Sequence, residues 1–355
     1  MAQPSYVENI SSTPSPIVLL QMASSYWVSK AIHAVAFLGI ADLLQGGPKS
    51  SVELAHSTEV DAQSLHRLLR VTASVGVFAE NREGDFELTP LANYLRTGVP
   101  GSVRELTIML GEDWKWQSWG ELLYSVKTSK PAFDHVFGMG LFTYLAQNTA
   151  AGELFNQAMG NFTAQQASAV VNAYDFSQFA LIVDVAGGNG TLLTAILKAN
   201  PQLSGVLFDQ PAVIKDALKH IESAGLAERC YTVAGDFSEL VPQAGDAYLI
   251  KQAIHNWDNE QAIKILRNCH RAMTPQGKLL VIEMVIPPGN EPFAGKLSDL
   301  DMLVCTEGGR ERTEAEFRTL FEAAGFKLTN IISTQSLMSV IEGVRASAHQ
   351  AAPEL

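Results

Sequence analysis

The sequence predicts an α/β protein built on a Rossmann-like, doubly wound parallel sheet, preceded by a mainly helical winged-helix module. Two observations predict the sheet: short apolar strands alternate with amphipathic helices after residue 176, and a glycine-rich loop follows the first of those strands. A third predicts the module, since two short helical patterns before residue 90 are followed by two strand patterns about a polar turn. With 355 residues the chain can bury two cores. We divide it into an N-terminal domain over 1–105 and, over 106–355, a helical linker with the domain that carries the sheet.

The elements follow in order. Apolar residues recur at helical spacing from Ile17 to Leu44, with Gly39 and Gly46-Gly47-Pro48 as breaks. Ser51–Ser57 reads as a short helix and Asp61–Val75 as a second, capped by Asp61. Gly76–Ala79 and Phe86–Leu88 read as strands about Asn81-Arg82-Glu83-Gly84-Asp85, which completes a winged helix. Residues 101–175 read as mainly helical. The predicted sheet strands are Leu181–Val185, Val206–Phe208, Tyr231–Ala234, Ala247–Ile250 and Leu279–Ile282. Between the last two, Glu260–Met273 carries an apolar stripe behind an Asp258 cap. A helix opened by the capping box Thr313/Glu316 and ended by Gly325 leads into an antiparallel hairpin, Phe326–Ser333 with Leu337–Val344.

Composition narrows the partners. The formal net charge is −12, and residues 1–100 hold six Lys or Arg against nine Asp or Glu. Such a surface repels phosphate backbones and anionic lipid, so the winged helix is expected to pack or dimerise rather than read DNA. No stretch is long and apolar enough to span a bilayer, and the first sixteen residues are polar and Ser/Pro-rich rather than a secretion signal. Three cysteines without metal or disulfide spacing fit a reducing cytoplasm.

In an open α/β sheet, ligands bind beyond the carboxyl ends of the strands. Here those ends are polar throughout: Asp184 with the loop Ala186-Gly187-Gly188-Asn189-Gly190, then Asp209, Gly235-Asp236-Phe237, Lys251 with His255, and Glu283. The loop, including Gly188 and Gly190, suits close approach of a ligand to backbone N–H groups. A dinucleotide fingerprint would require glycine where the chain has Leu193, which argues against a nicotinamide-type oxidoreductase. Asp209 is placed to accept from ribose hydroxyls, Asp236 from an adenine amine, and Phe237 to wall the ring. A nucleoside that carries an amino acid in place of a diphosphate satisfies the set, namely S-adenosylmethionine, with S-adenosylhomocysteine as product. Lys251 is expected to reach the adenosine end of that cofactor, to pair with Asp236, or simply to be solvated.

The run Asp184-Val-Ala-Gly-Gly-Asn-Gly, the Gly235-Asp236-Phe237 turn, His255-Asn256-Trp257-Asp258, Glu283 and Gly308-Gly309-Arg310-Glu311-Arg312-Thr313 together resemble the methyltransferases that include caffeate, isoflavone and acetylserotonin O-methyltransferases. The resemblance covers almost the whole chain. It implies methylation of a hydroxyl on a small aromatic metabolite, and a homodimer built by the N-terminal module, which helps close the partner's pocket. Family members usually have glycine at the position of Ala186, a place where most strand-end geometries accept alanine.

Methyl transfer to oxygen needs the hydroxyl proton removed, and His255 is the candidate base, with Glu283 and Glu311 as the acceptors that fix its second nitrogen. On its own a histidine beside a tryptophan is an ordinary structural residue; the strand-end position and the resemblance single this one out. The scheme requires no metal. For the acceptor pocket the resemblance points to Phe155, Met159 and Met302, with Thr306 near the base; Met109 and Trp114 are further apolar candidates. Transfer to nitrogen or carbon, a diverted reaction on the same fold, and a cofactor-sensing winged-helix regulator are the alternatives.

Overall fold

The computed structural model describes residues 15–346, so the polar opening segment up to residue 14 lies outside the described residues. The chain forms two compact units that divide between Glu112 and Asp113.

The N-terminal unit begins with α1 (Pro16–Ser24), α2 (Tyr26–Phe37) and the single turn α3 (Ile40–Leu43). Proline in the first turn and the Ser15 side chain, which accepts from the Ile17 amide, start α1. Gly39 breaks the run as read from sequence, at φ +66°. The winged helix follows: α4 (Ser51–Thr58), α5 (Ala62–Ser74), then β1 (Phe78–Glu80) antiparallel to β2 (Phe86–Leu88). Asp61 caps α5 through the Ser64 amide as expected, and Asn81 Oδ1 closes the hairpin turn by accepting from the Glu83 and Asp85 amides. Leu65, Leu69, Phe78 and Phe86 form the buried seam of this module. The unit ends with α6 (Arg104–Gly111). Not one residue of α1 is buried, and Ile17, Leu19, Leu20, Met22 and, in α2, Trp27 are all more than half exposed.

The second unit opens with helices α7 (Asp113–Gly120), α8 (Leu122–Thr128), α9 (Ala132–Phe137), α10 (Leu141–Gln147) and the 25-residue α11 (Thr149–Ala173). The αβ portion then runs β3 (Leu181–Val185), α12 (Thr191–Ala199), β4 (Ser204–Asp209), α13 (Pro211–Ser223), β5 (Cys230–Ala234), β6 (Ala247–Lys251), α14 (Asn259–Ala272) and β7 (Lys278–Glu283). A short strand pair β8 (Val285–Ile286) and β9 (Arg312–Thr313) flanks α15 (Ala294–Cys305). The chain closes with α16 (Glu314–Ala323), β10 (Phe326–Ser333) and β11 (Ser339–Arg345). The main sheet has seven strands in the order β10-β11-β7-β6-β3-β4-β5; β3 to β7 are parallel and the terminal hairpin is antiparallel.

Side-chain alternation along the strands builds a core on each face. Ile182, Leu207, Leu249, Leu280 and Ile282 pack with α11, α12 and α13 on one face. Val183, Val185, Phe208, Tyr248, Ile250 and Val281 pack with α14 and α16 on the other. The chain winds outward from β3 to β5, then returns to β6 on the opposite side of β3. The crevice at the carboxyl ends of β3 and β6 is therefore the topological switch point. Among the described residues no helix is long and apolar enough to cross a membrane.

Candidate active site

The carboxyl end of β3 carries Asp184 into the glycine loop. Gly187 lies so close that a Cβ there would sit 2.6 Å from Asp184 Oδ2, so only glycine lets the loop fold back over the carboxyl. Gly188 donates its amide to Asp209 Oδ2 at 2.8 Å, and Gln210 donates to Asp209 Oδ1 at 2.7 Å. Gly190 then caps α12 at φ +80°. Ala186 departs from the sequence expectation: it adopts φ +57°, the left-handed conformation that glycine favours, and its amide donates to the Phe208 carbonyl at 2.8 Å. Alanine there is strained by about 1 kcal/mol, which the surrounding loop must offset.

Asp184 is buried, and neither of its oxygens accepts a hydrogen bond from the described residues. Burial, aided by the nearby Asp209 charge and opposed by Lys251, pushes its carboxyl up to about 8. A buried carboxyl with no donor is costly unless a ligand completes it. A cofactor bearing an ammonium and a sulfonium supplies the positive charge this carboxyl lacks. Each Asp209 oxygen takes one backbone donor and keeps a lone pair for a ribose hydroxyl. The residues present fit S-adenosylmethionine.

Lys251 corrects one expectation. It neither pairs with Asp236 nor stands in solvent: its Nζ donates to Thr163 Oγ1 at 3.2 Å and to Gln252 Oε1, and lies 5.7 Å from the centre of the Phe162 ring. Withdrawal from water lowers its ammonium to about 8, against the opposing charges of Glu283 and Asp184. Asp236 is exposed and accepts instead from the Ser238 amide at 2.7 Å. Phe237 meets Trp257 edge to face at 6.2 Å, which forms an apolar wall beside the β5 end.

Past β6 the chain makes a single 3-10 turn, Ile254–Asn256, that presents His255. Its ring Nδ1 lies 2.8 Å from Glu311 Oε1 and 3.5 Å from Glu283 Oε2, and its backbone amide donates to Glu283 Oε1 at 3.2 Å. Two carboxylates around Nδ1 demand a proton on that nitrogen, so Nε2 is left as the acceptor. Burial alone would depress the imidazole, but the Glu283 charge and the Glu311 hydrogen bond outweigh it and hold His255 above its ordinary value. Glu283 is itself raised by burial, with His255 opposing and Glu311 adding to the rise. Ligand atoms of the three side chains fall within 4.8 Å of one another.

The Gly308–Thr313 run wraps this turn. The Arg310 amide donates to the His255 carbonyl at 2.7 Å, and a Cβ on Gly309 would sit 2.7 Å from that carbonyl. Arg312, fully buried, donates to the Ile254 carbonyl at 3.2 Å, the Trp257 carbonyl at 2.9 Å and Asn259 Oδ1 at 3.0 Å, which clamps both ends of the turn. From α15, Ser298 Oγ donates to Glu311 Oε1 at 2.7 Å, and Asp299 Oδ1 accepts from the Glu311 amide at 2.9 Å. Residue-by-residue reading missed Ser298 and Asp299 altogether. Arg312 was legible only as part of the motif.

The remaining predicted residues are distributed as follows. Met302 and Thr306 are buried on and just past α15, where Thr306 donates to the Met302 carbonyl at 2.8 Å. Phe155 and Met159 are half-buried on α11, and Phe155 stands edge to face with Phe142 at 6.2 Å. Trp114 packs into an aromatic cluster with Phe133 and Tyr144, which makes it a core residue of the helical segment. Met109 belongs to the core of the N-terminal unit.

Comparison with known proteins agrees with this architecture. Residues 119–327 match the O-methyltransferase domain and 20–98 the O-methyltransferase dimerisation domain. The chain is 47% identical to the phenazine O-methyltransferase PhzM of Lysobacter antibioticus, over 93% of this chain and 96% of that protein. It is 36% identical to the 8-amino-8-demethylriboflavin N,N-dimethyltransferase of Streptomyces davaonensis, over 89% and 91%. The solved structure of human N-acetylserotonin methyltransferase in complex with S-adenosylmethionine superposes with a TM-score of 0.87 at 26% identity, over 95% and 100%. The chain therefore belongs to the family of S-adenosylmethionine-dependent O-methyltransferases that couple a dimerisation domain to a Rossmann-like catalytic domain.

Proposed function

We propose that the protein methylates a ring hydroxyl on a flat, fused-ring aromatic metabolite of the phenazine type, with His255 as general base. The single observation that carries this reading is the Nδ1–Glu311 contact at 2.8 Å, which leaves His255 Nε2 as the nitrogen able to take a proton. An aromatic hydroxyl has a pKa of about 10, so only about one in a thousand is ionised at neutral pH and a base is needed. An aromatic amine attacks through its lone pair and sheds its proton afterwards, without such help.

S-adenosylmethionine supplies a methyl carbon on sulfonium, which accepts the oxygen lone pair as the C–S bonding pair returns to sulfur. His255 Nε2 takes the hydroxyl proton as the O–C bond forms. Glu311 and Glu283 stabilise the imidazolium by charge and hold the ring in one orientation. Asp184 and Asp209 bind the cofactor, the Gly188 and Gly190 loop admits it closely, Asp236 and Phe237 frame the adenine, and Lys251 is a further cofactor contact. Phe155, Met159, Met302 and Thr306 form the acceptor wall, whose aromatic and thioether groups suit a planar ring. Support for the ring class comes from the phenazine relative, which aligns over nearly its whole length. The dimerisation domain and the uncovered apolar face of α1 support a homodimer.

An amino acceptor is the second reading, prompted by the dimethyltransferase that acts on an amino-flavin. Matched hydroxy- and amino-phenazines incubated with methyl-labelled S-adenosylmethionine separate the two. The expected product is the methyl ether, identified by mass spectrometry; a methylamine with no ether would overturn the hydroxyl assignment.

A further inference from the structure

Helix α15 does more than border the acceptor wall. Ser298 on its second turn donates to Glu311 Oε1 at 2.7 Å, the same oxygen that faces His255 Nδ1 at 2.8 Å. Two donors thus converge on one carboxylate oxygen while Oε2 of Glu311 accepts nothing from the described residues. The next residue, Asp299, fixes the Glu311 backbone through its amide, so Ser298 is the group that governs the side chain. The helix is itself anchored on α7, where Lys115 Nζ donates to Asp301 Oδ2 at 2.7 Å and Trp119 Nε1 to Asp301 Oδ1 at 2.7 Å. A hydroxyl on so firmly held a helix has a fixed origin from which to aim the carboxylate.

We propose that Ser298 is a positioning residue of the methyl-transfer site, which turns Glu311 Oε1 onto the His255 ring and shares that oxygen's charge, thereby setting how tightly His255 holds a proton. The inference rests on His255 acting as the base. The physical reason is that a carboxylate oxygen with two donors concentrates less negative charge on either one. Without the serine hydroxyl, all the remaining attraction falls on the Nδ1 proton, and the imidazolium becomes harder to deprotonate. Other charged groups bear on the cluster: Glu283 from β7 and Lys251 from β6 act on the ring itself, Arg312 from β9 acts on Glu283, and Asp299 beside Ser298 faces Glu311. None of these donates to Glu311 Oε1, so the serine effect is separable from theirs.

The test needs no acceptor. The protein contains eight histidines. Ring-15N-labelled protein saturated with S-adenosylhomocysteine is titrated by NMR, with His255→Ala identifying the resonance of interest. The expected result is that Ser298→Ala raises the His255 midpoint by about half to one pH unit, while Ser298→Thr, which keeps the hydroxyl, restores it. An unmoved midpoint in Ser298→Ala, or an equal rise in Ser298→Thr, would overturn the proposal. Thermal unfolding and S-adenosylhomocysteine affinity of both variants should match wild type; should Ser298→Ala unfold, Ser298→Cys, a weaker donor, must give an intermediate rise. Failure of the base assignment looks different, because His255→Ala would then keep near-normal turnover while the titration shift persists.

Discussion

Asp184 and Glu311 are both carboxylates withdrawn from solvent, at 1% and 2% exposure, yet the fold treats them oppositely. Glu311 Oε1 receives a serine hydroxyl and faces an imidazole nitrogen, its backbone is held by Asp299, and the neighbouring Arg312 clamps the turn that carries its partner. Asp184 receives no donor from the described residues. Buried polar groups are ordinarily satisfied by the protein, so the first carboxylate is largely finished through Oε1, and on the proposed function the second is half of a contact whose other half arrives with the ligand. The same comparison separates the two sides of the switch-point crevice. At the β6 and β7 ends His255, Glu283 and Glu311 engage one another, although one oxygen of each glutamate accepts nothing from the described residues; at the β3 end, on the proposed function, a ligand engages the carboxyl.

The largest expected effect lies on the finished side. Replacing His255 by alanine should lower turnover on a hydroxylated acceptor by about two or more orders of magnitude while S-adenosylhomocysteine binding, read by calorimetry, stays within about twofold of wild type. Because the imidazole is held above its ordinary value, wild-type kcat should climb as pH rises through and beyond 6.5, since only the neutral ring accepts a proton. Equal turnover in the variant would break the comparison at its first term.

On the open side, Asp184→Asn keeps the shape and removes the charge. Cofactor affinity should fall by about 10- to 100-fold, while the ligand-free variant, which has no carboxyl to keep protonated, should unfold at a higher temperature than wild type at pH 7. Unchanged affinity would mean that the orphaned carboxyl is not a ligand site.

The logic of an unfinished surface extends to α1, whose Leu19, Leu20 and Met22 stay exposed. A double change, Leu20→Glu with Trp27→Glu, should weaken self-association by roughly tenfold or more, visible by sedimentation as a shift to monomer at micromolar concentration. A dimer of unaltered strength would place the interface elsewhere. Smallest is Ala186→Gly. It relieves the left-handed strain but loosens the unfolded chain, so a net gain of about 0.5 kcal/mol, or roughly 1–2 °C in Tm, is expected.

Much of this was legible in the sequence because the signals are local. Strand β3 could be read from Leu-Ile-Val-Asp-Val between its turns, and the Asp258, Asp61 and Thr313 caps from residue type and spacing. The polar strand ends located the crevice, and His255, Glu283 and Glu311 do meet there. Which neighbour a given side chain turns to was not legible. No periodicity says that Ser298, rather than a neighbour on α15, faces Glu311, or that Lys251 turns to Thr163 instead of Asp236. Nor does residue type reveal a positive φ at Ala186, since alanine ordinarily avoids it. Relative placement in three dimensions decides each of these.

Proton linkage at Asp184 is the most direct measurement. In the ligand-free protein its carboxyl, raised to about 8, stays protonated at pH 7, whereas the unfolded chain ionises near 3.8. This group therefore costs stability progressively as pH rises from about 4 to about 8, and a bound cation that ionises it removes that cost. Calorimetric titration with S-adenosylmethionine at pH 7, repeated in buffers of different ionisation enthalpy, should show release of about one proton per site in wild type and almost none in Asp184→Asn. Wild-type binding with no proton released, or the same release in the variant, would contradict the claim that this carboxyl waits for the cationic cofactor.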